Sequence, residues 1–173
     1  MEDPISLIDR IIEDHKQIMK ETRALEHDLD AALELEKAAD DFVPASFDPA
    51  RRSLQSLRDT LDSIDRALDA HFRREETALL RAIMDQGSAT LASSLRELLH
   101  EHQQLRDRIA KSKQDASELA LGGTSREVWE GRAHGVRVYM NHTRKLLEAH
   151  ARSEHELLQK ARKDIRARMQ EGK

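Results

Sequence analysis

The stretch Leu68-Asp69-Ala70-His71-Phe72-Arg73-Arg74-Glu75 sets Leu68, His71 and Glu75 on one helical face by steps of three and four residues. Leu68 is an ordinary core residue, and the other two are not. Positions i and i+4 stand about 5 to 6 Å apart at Cβ, so an imidazole and a carboxylate spaced as His71 and Glu75 can converge on one point. Upstream, Leu54, Leu57, Leu61 and Ile64 continue the same stripe, and downstream Ala78 extends it. A long amphipathic helix therefore carries a polar pair in an otherwise apolar seam.

Three further seams repeat the device. Ile8, Ile11, His15, Ile18, Thr22, Leu25 and Leu29 form one, and Leu91, Leu95, Leu98, His102, Leu105 and Ile109 a second. Val136, Tyr139, Thr143, Leu146, His150, Glu154, Leu157 and Ala161 form the third, in which His150-x3-Glu154 repeats the spacing of His71 and Glu75. Each seam places a histidine where leucine or isoleucine belongs.

Punctuation supplies the ends. Asp3-Pro4 and Asp48-Pro49 read as an N-cap followed by a first helical residue, the second pair after the connector Phe42-Val43-Pro44-Ala45-Ser46-Phe47. Gln86-Gly87-Ser88 stops the second helix with Ser88 free to cap the third, Gly122-Gly123 ends the third, and Thr124-x-x-Glu127 is a capping-box pattern. Helices are expected over about 5–40, 50–86, 89–121 and 125–170, forming one domain over 1–173, an all-α, antiparallel up-down-up-down four-helix bundle. Ligands to one site must also share a depth. His71 lies 16 residues before Gly87 and His102 lies 15 after it, level across the hairpin. His102 is about 20 residues before the glycine pair and His150 about 27 after it, a mismatch of about 10 Å of rise.

Composition narrows the function. Charged residues make up 36 % of the 173, aromatics 3 %, with 6 glycines and 3 prolines, the balance of long packed helices. A net charge of −4 and a pI near 6.1 give no electrostatic reason to expect nucleic acid or an anionic membrane. The basic residues Lys160, Arg162, Lys163, Arg166 and Arg168 are diluted by Asp164 and Glu171 and read as a solvated helix end. Without cysteine, any metal ligand is a nitrogen or oxygen donor. No window approaches the roughly 18 apolar residues of a membrane span, and Met1-Glu2-Asp3-Pro4 lacks the basic start of a signal peptide, so a cytoplasmic location is expected.

Two carboxylates facing one apolar core repel each other and cost several kcal/mol unless a cation accompanies them. No lysine or arginine lies on any seam, so a metal ion is the expected counter-charge.

The segments Glu13-Asp14-His15-Lys16-Gln17-Ile18, His71-Phe72-Arg73-Arg74-Glu75-Glu76, Glu101-His102-Gln103-Gln104-Leu105-Arg106 and His150-Ala151-Arg152-Ser153-Glu154, in this order, resemble the haemerythrin-like, or HHE cation-binding, family over essentially the whole chain. The resemblance implies a left-handed bundle holding two non-haem iron ions bridged by two carboxylates and a solvent-derived oxo or hydroxo group. By position, His15 and His71 would ligate one iron, His102 and His150 the other, and Glu75 and Glu154 would bridge. Oxygen-carrying members have a further histidine one turn before the third-helix ligand, where this chain has Leu98. That difference implies an open coordination position on the iron of His102 and His150.

Three functions are weighed. The first is binding or sensing of dioxygen or a related small oxidant in a cage lined by Ile11, Ile18, Leu68, Leu98, Leu105, Leu146 and Leu147. The second is reduction of peroxide or nitric oxide at the same centre. The third is a structural or partner-binding bundle with zinc or no metal. Zinc and manganese also accept these donors. The expected partners are a small diatomic or peroxide ligand and a separate redox or signalling protein, with the chain a monomer or weak homodimer.

Other residues are expected to stand aside. Glu97-x-x-His100 matches one half of a ferritin-like unit, but that fold needs two, and His100 faces outward. His27, His134, His142 and His155 lie off the seams, and Glu76 and Glu101 are expected to be solvated. Tyr139 is about 16 Å along the axis from His150, too far for chemistry, and Trp129 and Phe72 are expected to pack. Periodicity leaves open whether Phe72 gates the site.

Overall fold

A computed structural model describes residues 3–37, 48–86, 88–121 and 123–171. The connector at 42–47, Gly87 and Gly122, with the cap and turn roles read for them, lie outside the described residues, as does the side chain of Asp48. The elements are α1 (Pro4–Lys37), α2 (Asp48–Arg74), a π turn (Glu75–Leu79), α3 (Leu80–Asp85), α4 (Ala89–Leu99), α5 (Glu101–Ala120) and α6 (Arg126–Glu171). Arg74 and Leu80 are both right-handed helical, so α2, the π turn and α3 form one rod. A second rod, α4 with α5, is interrupted at His100, whose backbone N–H bonds to the Glu97 carbonyl at 3.3 Å. Among the described residues there is no strand, and the four rods pack as a helical bundle. No described helix is long and apolar enough to cross a membrane.

Start signals were partly legible. Asp3 caps α1 as expected, its Oδ2 accepting from the Ser6 backbone N–H at 3.0 Å. Ser88 stands at the N-cap of α4, but its side chain makes no capping bond. The capping box assigned to Thr124 is a misreading, because α6 starts at Arg126 and Ser125 Oγ accepts weakly from the Val128 N–H at 3.4 Å. Gly123 adopts φ +81°, the left-handed conformation that ends a helix without a Cβ clash.

Side chains tie neighbouring rods in opposed numerical order. Asp9 meets Arg162 at 2.9 Å, Glu26 meets Arg144 at 2.9 Å and Asp30 meets Arg137 at 3.0 Å, so numbers rise along α1 as they fall along α6. Between α2 and α5, Lys113 lies 2.8 Å from both Asp62 and Asp65, and Arg106 3.7 Å from Asp69. These pairs are half-exposed and fix register more than they stabilise.

The core is divided. One apolar cluster runs from Ile18 and Leu68 up to Leu29, Leu54, Leu119 and Trp129, and the other gathers Leu7, Ile8, Ile11, Leu79, Ile83, Leu95 and Leu158. The layer containing His15, His71, His102 and His150 lies between them, so its polar atoms sit inside the bundle rather than at an end.

Four seam assignments are corrected. Ala78 is exposed, because the π turn adds a residue to its turn and brings Leu79 inward instead. On α6, Tyr139 and Leu146 are half-buried, and Met140 and Leu147 take the inner face. Steps of four then three fit that face as well as three then four, so the sequence could not choose between them. Leu98, on the interrupted rod, is also only partly buried.

The depth mismatch has a structural answer. His15 to Lys37, Asp48 to His71 and Arg126 to His150 span 22, 23 and 24 residues, whereas His102 to Ala120 spans 18. α5 is shorter by about one turn. Trp129, the first buried residue of α6, packs where α5 ends and donates its Nε1–H to the Leu119 carbonyl at 3.0 Å. Trp129→Ala should therefore cost about 3–5 kcal/mol in urea unfolding of the metal-free protein. Leu121→Ser, at a position 78 % exposed, should change stability by no more than about 0.5 kcal/mol.

Candidate metal centre

Six residues meet in the central layer, all of them expected from the sequence. His71, Glu75, His102, His150 and Glu154 are buried, and His15 is half-buried. Two groups of donors emerge, each with its ligand atoms within 4.8 Å of one another: His15, His71, Glu75 and Glu154, and Glu75, His102 and His150. Glu75 belongs to both. Its Oε1 is 2.7 Å from His71 Nε2, and its Oε2 is 3.1 Å from His102 Nε2. Glu154 Oε2 also spans the two sides, 3.0 Å from His15 Nε2 and 3.7 Å from His150 Nε2. The π turn begins at Glu75, where a wider turn re-aims a side chain.

Glu101 is exposed, as expected, and Glu76 is half-buried, yet each also holds a histidine. Glu76 Oε1 accepts from His102 Nδ1 at 2.9 Å, and Glu101 Oε2 accepts from His150 Nδ1 at 2.8 Å. A carboxylate only accepts, so in each ring Nδ1 carries a proton, and the inward Nε2 presents a lone pair whenever the imidazole is neutral. The two Nε2 atoms are 3.2 Å apart. Such lone pairs repel unless a cation lies between or beside them. His15 Nε2, both ring nitrogens of His71 and both oxygens of Glu75 and Glu154 are buried without a hydrogen bond of good geometry. A buried layer of unpaired acceptors fits a metal ion, which satisfies several at once.

Supporting contacts surround the layer. Arg106 pairs with Glu76 at 2.9 Å and lies over the Phe72 ring, 5.1 Å from its centroid. Phe72, fully buried, stacks on His102 with ring centres 3.8 Å apart at 14° and is 5.6 Å from His71 and 6.0 Å from His150. It packs, as expected, and the surface against which it packs is the centre itself. Asp14 pairs with Arg74 and lies 3.6 Å from His71 Nδ1. Asp14, Glu76 and Glu101 were missed, although each adjoins a predicted ligand. The available signal was that a residue turned from its own helix's site faces the next helix in a bundle. His27, His100, His134, His142 and His155 are exposed, as expected.

Burial sets the protonation states. It pushes the Glu75 carboxyl well above the usual carboxylate range, against the pull of His102 and with the charge of Glu154 adding to the rise. Burial acts upward on Glu154 too, but the contact with His15 carries it down to about 2. Burial lowers His71, keeping it neutral and able to donate a lone pair. Burial works upward on Glu76, but the Arg106 guanidinium and the His102 N–H hold it below the usual range.

A helical interior with two adjoining groups of imidazole and carboxylate donors defines a class of bundle suited to metal cations. The chain belongs to the haemerythrin family: residues 6–161 match the Hemerythrin HHE cation binding domain. No curated protein and no solved structure matches it.

Metal uptake must expel the proton that burial keeps on Glu75. Protons therefore compete with metal, and affinity should rise with pH, by about tenfold per unit for each proton released, from about pH 5 up through the raised Glu75 pKa. Calorimetric titration with zinc in buffers of different ionisation enthalpy should register the released proton. A pH-independent affinity would contradict this assignment.

Proposed function

We propose that the chain is a non-haem di-iron protein that binds or senses dioxygen or a related small oxidant. It would do so as one cytoplasmic domain, an up-down-up-down antiparallel bundle, the arrangement that the opposed order of the inter-rod pairs supports. His15, His71, Glu75 and Glu154 would hold one ion and Glu75, His102 and His150 the other, with Glu75, and Glu154 beside it, as the bridges. The observation that carries this reading is the aim of the two Glu75 oxygens at histidines of different groups, 2.7 and 3.1 Å away. Imidazole and carboxylate donors suit iron, while zinc and manganese are also accommodated. A ferrous pair in this position would supply electrons to a small oxidant.

The chain's own residues shape what reaches the centre. Apolar clusters on both sides exclude bulk water, which strengthens every electrostatic contact within. Phe72 walls the His102 side and favours diatomics and peroxide over larger substrates. Leu98, which offers no donor one turn before His102, supports an open position on the His102 and His150 side. That openness also favours a second reading, peroxide or nitric oxide reduction.

Ferrous protein prepared without oxygen and then exposed to air discriminates the readings. Binding predicts a visible absorption band that fades when oxygen is withdrawn and is absent from His102→Ala. Steady consumption of peroxide or nitric oxide would move the assignment to a reductase. A colourless zinc protein indifferent to oxygen would leave the structural reading.

A further inference from the structure

Each outer acidic residue stands next to a donor on its own rod and serves a histidine on the next rod round. Asp14, beside His15, faces His71; Glu76, beside Glu75, holds His102; Glu101, beside His102, holds His150. The sequence of rods is α1, α2, α5, α6, and one step remains, from α6 back to His15. Among the described residues nothing hydrogen-bonds His15 Nδ1. The position that would close the circuit is the one after Glu154, as Glu76 follows Glu75. It is occupied by His155, exposed, with its Nε2 3.4 Å from Gln159.

Register agrees with that placement. Arg162 of α6 meets Asp9 of α1 at 2.9 Å. Seven residues earlier on α6 is His155, and seven later on α1 is Lys16, the neighbour of His15. His15 is also the most exposed of the six donors, its side chain 12 % accessible against 1 % for His71 and His102 and 3 % for His150.

We propose that His15 is the exchangeable ligand of the centre, the one that detaches to admit and release metal, and that a non-carboxylate at position 155 keeps it so. The proposal rests on the reading of these six residues as metal ligands. An imidazole held at its second nitrogen has its ring orientation set before metal arrives. One without that restraint must be ordered by the metal itself, so it surrenders rotamer freedom on binding and regains it on release. His71 Nδ1, 3.6 Å from Asp14, has no hydrogen bond among the described residues either, but that ring is buried and packed against Phe72, which leaves His15, with no acceptor and the greatest exposure, the least restrained donor and the first to leave.

Cobalt(II) is a suitable probe because its visible absorption follows release into excess chelator. His155→Glu supplies the missing acceptor and should slow release at least about tenfold, the lower end of what such outer partners contribute. His155→Met, similar in length with no such acceptor, should release at the wild-type rate, and His155→Gln, a neutral acceptor, should fall between. Equal rates in wild type and His155→Glu would overturn the proposal. Wild-type protein that takes up no cobalt would instead overturn the metal reading beneath it.

Discussion

Two buried glutamates and the inward nitrogens of several imidazoles share one layer of an otherwise apolar interior, an arrangement that a proton or a metal cation at its centre relieves. Desolvating a carboxylate costs several kcal/mol, and the layer holds two, Glu75 and Glu154, with no lysine or arginine among them. The 3.2 Å approach of His102 Nε2 to His150 Nε2 also calls for a proton or a cation between or beside them. Most buried polar layers are relieved by hydrogen bonds, but here the hydrogen-bonding nitrogens of His102 and His150 are committed outward, to Glu76 and Glu101. The inner faces are left for a cation.

The remainder of the bundle serves that layer. Apolar clusters lie above and below, and the ion pairs between rods fix the relative height of four helices whose inner histidines and glutamates meet within ångströms. Arg106 performs two tasks, holding Glu76 against His102 and covering Phe72, which in turn stacks on His102. The His102 ring is thereby fixed both at an edge and on a face. Local geometry is used the same way at Glu75, where the π turn departs from the regular helix at the residue that must reach both groups.

Much of this was legible in the sequence. The six inner donors could be read because a helix of 3.6 residues per turn turns spacing into direction, and His71-x3-Glu75 and His150-x3-Glu154 interrupt long apolar seams. Other features follow from contacts between helices, which no single-helix periodicity encodes. Glu76 and Glu101 turn away from their own seam and were read as solvated, yet that direction leads to a neighbouring helix's histidine. Ala78 was placed inward because an inserted residue in a helical turn has no composition signature. Met140 and Leu147 displaced Tyr139 and Leu146 because the alternation of threes and fours can begin on either step.

Equilibrium dialysis of metal-free protein against ferrous iron under anaerobic conditions, followed by elemental analysis, tests the central claim most directly. Uptake of about two ions per chain is expected, with uptake reduced when the shared ligand is altered by Glu75→Gln. A well-folded protein that retains no iron, zinc or manganese, and whose Glu75→Gln variant behaves identically, would contradict the claim that this polar layer exists to hold metal.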